Sequence, residues 1–224
     1  MAILSFQKPD KVIMLEANNR LGKFEFRPLE PGYGITVGNA LRRILLSSIH
    51  GAAIVSVKID KVLHEFSTVQ GMKEDVTDLI LNLKGVRLKL NQDGPRTLRL
   101  EVAREGVVTA GDITVDPTVE IMNPEQYLCT LAGNAKLKAE MVARVDKGYV
   151  AAKRERDADQ SEGTINIDAS FSPIKKVSYT VTHARVGQIT DYDRLILEVW
   201  TDGSVLPEDA VAYAAKILKE QLDI

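Results

Sequence analysis

A glycine-rich turn contains the first residues whose type and spacing could carry chemistry. Gly32, Gly34 and Gly38 follow a predicted strand and precede a predicted helix, the order found in dinucleotide-binding folds. In those folds the glycines let a phosphate approach the positive end of a helix. The spacing here is Gly-x-Gly-x-x-x-Gly, which differs from the Gly-x-Gly-x-x-Gly fingerprint. A dinucleotide-binding enzyme is one alternative, but turn positions explain the glycines better.

The ionisable residues give little support for catalysis. The three histidines are too scattered for a local metal set: His50, His64 and His183. Two pairs of nearby acids occur, Asp75 with Asp78 and Asp191 with Asp193. Without a partner base or nucleophile, such acids are more often helix caps and solvated side chains. We therefore predict that this chain holds no catalytic residue, no metal and no cofactor.

Composition and charge indicate an ordinary globular protein. The chain has 224 residues, of which 45% are hydrophobic and 27% charged, and its net charge is −2. Because basic residues are not in excess, we expect no direct contact with nucleic acid. Cys129 lies in an apolar run and is the single cysteine, which predicts a buried, inert thiol and a reducing compartment. No signal-peptide pattern or membrane-length apolar run is present, so we expect a cytoplasmic protein without membrane association.

The element that follows the glycine turn is predicted to be a helix from Thr36 to Gly51, with Thr36 as N-cap and Gly51 as C-cap. Its apolar residues share one face that covers about half of the cylinder: Val37, Ala40, Leu41, Ile44, Leu45 and Ile49. An apolar face this broad predicts that the helix packs against two partners, such as two elements or two molecules, rather than one.

The opposite face of this helix is polar, with Leu46 between Arg42 and Arg43. A large apolar side chain beside guanidinium groups is typical of the centre of a protein–protein interface. The alternative is a solvated face with one stray leucine, since single exposed apolar residues are normal. We take a docking helix as the hypothesis.

A second helix is predicted at 207–222, where Pro207 suits the first turn. It too is apolar on two sides, with a stripe through Val211 and Leu218 and a separate flank at Tyr213. Two such helices indicate that one side packs on the chain's own sheet and the other on a second copy, as an isologous four-helix contact. The predicted dimer interface comprises Val37, Leu41, Ile44, Leu45, Val211, Ala214, Leu218 and Leu222.

The remaining elements are mostly strands, so the predicted fold class is α+β. Strands are predicted at 11–17, 20–28, 53–60, 164–168, 174–183 and 194–201, and a short helix at 73–84. Residues 86–150 alternate apolar and polar side chains, and the turn at 91–95 predicts a hairpin. The mixed-charge segment 153–163 is predicted to be an exposed, mobile loop.

Several of these segments resemble the bacterial RNA polymerase alpha subunit family, in its N-terminal assembly domain. GNALRRILLSS at 38–48 is similar to the first helix of that domain, and VLHEFST at 62–68 forms a second matching block. Shorter matches lie at 74–76, 81–85, 172–173, 184–186 and 190–191. The likeness spans nearly the whole chain.

The resemblance implies an architecture. Residues 1–50 with 175–224 would form a discontinuous dimerisation domain, with two interface helices on an antiparallel sheet, and 51–174 an inserted strand-rich domain. The family's small C-terminal DNA-binding domain is absent from this sequence, so we expect a piece of a longer protein.

The resemblance also implies partners. The homodimer would hold the beta and beta-prime subunits, and RNA synthesis would occur on those partners. The residues expected to contact beta are Arg43, Leu46, Lys84, Asp168, Ser172 and Pro173. An unrelated homodimeric adaptor is the other alternative to the dinucleotide enzyme.

Overall fold

The computed structural model describes residue 9, residues 11–152 and residues 161–223, without the side chains of Val186 and Ile189. The strands are Lys11–Ala17 (β1), Leu21–Leu29 (β2), His50–Ile59 (β3), Leu88–Leu90 (β4), Arg96–Val102 (β5), Gly106–Thr109 (β6), Ile113–Thr114 (β7), Val119–Ile121 (β8), Tyr127–Leu131 (β9), Leu137–Lys147 (β10), Tyr149–Val150 (β11), Thr164–Asn166 (β12), Ala169–Ser170 (β13), Ile174–Val186 (β14) and Ile189–Thr201 (β15). The helices are Tyr33–Ser48 (α1), Val76–Leu83 (α2) and Pro207–Leu222 (α3). The α+β prediction is confirmed.

Two compact units divide the chain. Unit 1 comprises Met1–Ile49 and Ser172–Ile224, and unit 2 comprises His50–Phe171. The boundaries predicted from the sequence were after residues 50 and 174. The dimerising role assigned to the discontinuous unit stays a prediction.

Unit 1 is built on a four-stranded antiparallel sheet in the order β1-β2-β15-β14. Along β15, Leu195, Leu197 and Val199 are buried and alternate with half-buried Ile196 and Glu198. The buried face is covered by α1 and α3, which also pack against each other. One hydrophobic core therefore lies between this sheet and the two helices.

Unit 2 is built on a seven-stranded sheet, with β12 as a further partner of β3. In β10 the buried residues Leu137, Ala139 and Met141 alternate with exposed Lys138 and Glu140, as the sequence pattern predicted. Helix α2 contributes one apolar stripe to the core of this unit, at Val76, Leu79 and Leu83. Two small two-stranded sheets, β11-β13 and β6-β9, complete the unit's described strands.

Several predicted boundaries need correction. Helix α1 begins at Tyr33 rather than Thr36, and Gly32 occupies the N-cap position with a left-handed φ of 86°. Gly51 is not a C-cap but a residue of β3. The predicted hairpin at 91–95 is wrong, because β4 pairs with β3 and β8 whereas β5 pairs with β10 and β7. Residues 153–160 of the predicted loop lie outside the described residues.

The predicted short helix begins later than expected, at Val76, and Asp75 caps it. The Asp75 carboxylate accepts the backbone N–H of Asp78 at 2.7 Å, so this acid is a helix cap, the role that the sequence favoured for it. The predicted helix from Pro207 to Leu222 is confirmed, with Pro207 in its first turn. None of the described helices has the length and apolar content needed to cross a membrane.

Candidate functional site

The glycine-rich turn binds a carboxylate of its own chain. Oδ2 of Asp193, on β15, accepts the backbone N–H groups of both Gly32 and Gly34 at 2.9 Å. The first N–H groups of a helix have no partner within it, and they attract anions. A dinucleotide phosphate would need the position that Asp193 fills. Every described strand pair is also antiparallel, unlike the parallel sheet of a dinucleotide-binding fold, and the dinucleotide alternative is not favoured.

The same glycines let α1 approach the sheet closely. A Cβ atom added to Gly34 would lie 2.7 Å from Cγ1 of Val181, and one added to Gly38 would lie 2.7 Å from Cδ2 of Tyr179. Both distances are shorter than side-chain carbons tolerate, so only glycine fits without displacing β14. The motif therefore positions a helix on a sheet.

The predicted dimer-interface residues fall into two groups. Leu41, Leu45, Val211 and Ala214 are buried in the core of unit 1. Little or nothing of these four side chains is exposed, and their role as interface contacts stays a prediction. The other members of the predicted interface are half-buried or exposed and can contact a second copy: Val37, Ile44, Leu218 and Leu222.

Helix α3 extends beyond the part that packs on the core of its unit. Its buried residues are confined to the first half, Pro207 to Ala214. Leu218 and Leu222 continue the buried stripe of Val211 and Ala214, but Leu218 is only half-buried and Leu222 is 68% exposed. A stripe that is apolar and uncovered at one end indicates a surface that another molecule covers.

Sequence reasoning missed two exposed apolar side chains of α1 and identified one of α3. Tyr33 and Ile35 lie on the first turn of α1, and Tyr213 lies on α3. Tyr33 shares a flank of α1 with Val37 and Ile44, because residues four and seven positions apart face the same way. At Tyr213 the sequence did give an indication, because the helical spacing placed this residue on a second apolar flank of α3.

Arg43 and Leu46 are exposed on α1, on a side that faces away from the core. Leu46 is 36% exposed, and Arg43 makes no ion pair with any residue that the structure describes. The hydroxyl of Ser47 donates to the backbone carbonyl oxygen of Arg43 at 2.8 Å and does not involve the guanidinium. A free guanidinium beside an apolar side chain can bind a carboxylate or a carbonyl oxygen of a partner.

Lys84 and Asp168 are brought together within unit 2. Nζ of Lys84 lies 2.5 Å from Oδ1 of Asp168, and the hydroxyl of Tyr149 donates to Oδ2 at 2.9 Å. The hydrogen bond from Lys84 is the main cause that lowers the pKa of Asp168 below its usual range. The same carboxylate raises the pKa of the Tyr149 hydroxyl. Two predicted contact residues thus form one partly exposed ion pair.

Ser172 and Pro173 belong to unit 1 and offer less surface than predicted. Pro173 is buried, and its carbonyl oxygen accepts the N–H of Asp202 at 2.9 Å. Ser172 is half-buried and its hydroxyl lies 3.3 Å from both the N–H and the carbonyl oxygen of Ile174. A buried proline offers a partner little of its ring, and the contact at Pro173 stays a prediction.

Comparisons with known proteins establish the family. The model of the RNA polymerase Rpb3/RpoA insert domain matches residues 57–172. The chain is 68% identical over 203 residues to a DNA-directed RNA polymerase subunit alpha from Syntrophus aciditrophicus, covering 91% of this chain and 59% of the relative. It is 54% identical over 220 residues to the subunit alpha from Moorella thermoacetica, covering 98% of this chain and 70% of the relative. The chain belongs to the bacterial RNA polymerase alpha subunit family.

This membership confirms the resemblance read from residues 38–48 and 62–85. A third alpha subunit, from Lawsonia intracellularis, is 55% identical over 219 residues, which cover 97% of this chain. The chain spans 59% and 63% of the lengths of the Syntrophus and Lawsonia subunits. The insert-domain match corresponds closely to unit 2, whose limits are His50–Phe171.

Proposed function

We propose that this chain is an assembly scaffold of a bacterial RNA polymerase. Two copies dimerise through α1 and α3, and the dimer holds the beta and beta-prime subunits in the cytoplasm. The chain supplies no catalytic residue and no cofactor, and nucleotide addition takes place on the partners. The observation that carries the proposal is the presence on unit 1 of two surfaces with exposed side chains, an apolar one that includes Tyr33 and Leu222 and one with the Arg43 guanidinium.

The apolar surface suits a second copy of the chain. It combines the flank of α1 at Tyr33, Val37 and Ile44 with the end of α3 at Leu218 and Leu222. A twofold axis would bring the same residues of both copies together, so each helix pair buries its partner's apolar side chains. Fully burying a leucine side chain is worth about 1.5–3 kcal/mol, so a few such residues per copy favour a stable dimer.

The second surface suits a large subunit. Arg43 and Leu46 lie away from the Val37–Ile44 flank of α1, so both surfaces can be occupied at once. The Arg43 guanidinium would bind an acidic or carbonyl group of beta in fork geometry, while Leu46 fills an apolar recess beside it. Within unit 2, the preformed ion pair of Lys84 and Asp168 is a separate proposed contact with beta.

Light scattering after gel filtration tests the proposal, first on the chain alone and then on a mixture with the beta subunit. We expect a mass twice the 24.7 kDa of one chain, and a complex of two copies with one beta subunit. A dimer that elutes apart from beta would favour the homodimeric adaptor instead. A monomer at all concentrations would overturn the scaffold proposal.

A further inference from the structure

A polar recess opens in unit 2, where β3 ends and β10 begins. Its volume is about 660 Å³, within the roughly 300–1,000 Å³ typical of small-molecule sites. The loop that follows β3, residues 60–71, forms one wall, and the loop that leads into β10, residues 132–136, forms the other. None of the surfaces assigned to subunit contacts includes these residues.

Backbone hydrogen bonds hold the walls of the recess in place. The N–H of Asp60 donates to the carbonyl oxygen of Lys138 at 2.9 Å, and the N–H of Ala132 donates to that of Gly71 at 2.8 Å. Gly71 has a left-handed φ of 79°, and a Cβ atom there would lie 2.6 Å from Cβ of Ala135. The two loops are therefore tied to each other and to the sheet, and the recess is formed before any ligand arrives.

Positive charge is concentrated around this recess. Three lysines line it, Lys61, Lys136 and Lys138, against one acid, Asp60. Lys138 is paired with Glu101 at 2.5 Å, whereas Lys61 and Lys136 have no salt bridge to any described residue. The whole chain carries a net charge of −2, so the local excess of lysine runs against the overall balance. Such an excess attracts anions.

Hydrogen-bond donors accompany the charge. The side-chain amides of Gln70 and Asn134 line the same recess and form no hydrogen bond with the part of the chain that the structure describes. Each amide offers two N–H donors. Gln70, Asn134, Lys61 and Lys136 are all exposed, so the oxygens of a ligand could take the place of water on these donors. The recess therefore fits a ligand with several negatively charged oxygens.

We propose that this recess binds a small molecule that carries a diphosphate group. The ammonium groups of Lys61 and Lys136 contact the two phosphate groups as point charges, and the amides of Gln70 and Asn134 donate to their free oxygens. Val62 and Val69, which also line the recess, provide an apolar wall for whatever the diphosphate is attached to. The site does not depend on the proposed dimer or on the beta subunit.

Isothermal titration calorimetry of the full chain with inorganic pyrophosphate tests the proposal, at low ionic strength and without divalent cations. We expect saturable binding of one pyrophosphate per chain. Lys61→Gly and Lys136→Gln should each weaken it roughly tenfold, the equivalent of about 1.4 kcal/mol. Glycine is chosen at position 61 because Lys61 has a left-handed φ of 64°, which glycine adopts without strain.

Lys89→Gln serves as the matched control, because Lys89 is an exposed lysine of unit 2 on β4, outside the recess. Its affinity for pyrophosphate should equal that of the unchanged chain. Equal weakening by all three substitutions, or no saturation up to roughly 10 mM pyrophosphate, overturns the proposal. Thermal unfolding of each variant verifies that the fold is retained.

Discussion

Oδ2 of Asp193 accepts the backbone N–H of Gly34 at 2.9 Å, although 159 residues separate the two in the chain. Helix α1 lacks a side-chain cap of its own, because Gly32 stands at the N-cap position. A carboxylate on the sheet therefore does for α1 what an N-cap serine or aspartate does in other helices. The position of the helix is thereby fixed to β15.

Asp193→Ala should lower the free energy of unfolding by about 1–3 kcal/mol, because it leaves the N–H of Gly34 buried without an acceptor. Urea denaturation at neutral pH measures this difference. Asp191→Ala is the matched control, since Asp191 is an exposed residue of the same strand. Equal stability of the two variants would show that the contact contributes nothing.

Leu222→Asp should raise the dissociation constant of the proposed homodimer at least tenfold, because it places a charge in an apolar contact. Sedimentation equilibrium measures the constant. Leu81→Asp is the control, since Leu81 is a similarly exposed leucine at the surface of unit 2. An unchanged constant for Leu222→Asp would remove the end of α3 from the interface.

Arg43→Ala should weaken binding of the beta subunit while the homodimer mass stays the same. Truncation of an interface arginine that binds in fork geometry costs about 2 kcal/mol, which corresponds to roughly thirtyfold in affinity. Arg99→Ala, an exposed arginine of β5 in unit 2, should bind beta as the unchanged chain does. Loss of the dimer in Arg43→Ala would contradict the separation of the two surfaces.

Glu25 should make the stability of the chain sensitive to acid. Its side chain is 2% exposed, and the hydrogen bond from Arg194, at 2.6 Å, holds its pKa below the usual value of 4.5. A lowered pKa in the folded state stabilises the fold fully above the unfolded value, and this stabilisation is lost as the pH falls through the folded value.

The difference in stability between the unchanged chain and Glu25→Gln should therefore be largest near neutral pH and should shrink as the pH falls below 4.5. Denaturation curves at a series of pH values measure it. Glu16→Gln, at an exposed residue of β1, should show a smaller and flatter difference. A Glu25→Gln difference that is constant from neutral to acidic pH would exclude the ion pair as its cause.

Cys129 should not react with thiol reagents in the folded chain at pH 8. Burial is the main cause that raises the pKa of this thiol to about 12, so the reactive thiolate is scarce. A colorimetric thiol assay should show reaction only after denaturant is added, which also serves as the internal control. Rapid labelling of the native chain would mean that β9 opens readily.

Sequence reasoning predicted the elements that have strong periodicity and failed where several partners were compatible with one pattern. The alternation in β10 and the stripe of α3 needed no knowledge of neighbours. The turn at 91–95 resembles a hairpin turn, but β4 pairs with β8 and β5 pairs with β10. Local turn chemistry does not decide which strands pair over long distances.

The apolar stripes of α1 and α3 show a second limit of prediction from sequence. Leu45 and Leu222 both lie on apolar stripes, and a stripe shows that a residue is covered without showing by what. Only the structure separates Leu45, which is covered by its own sheet, from Leu222, which is not. Asp193 was visible as one of a pair of acids, but its contact with Gly34 depends on tertiary structure and has no local signal.

Phe24 on β2 pairs with Leu197 on β15, and the whole of unit 2 lies between them in the chain. A ribosome therefore releases β2 and α1 long before the strand on which they pack. Phe24, Leu41 and Leu45 stay without the core residues of β14, β15 and α3 while 50–171 is synthesised and can fold as a compact unit. During translation, the half of unit 1 that is made first therefore leaves apolar side chains incompletely buried, and such surface is prone to aggregation.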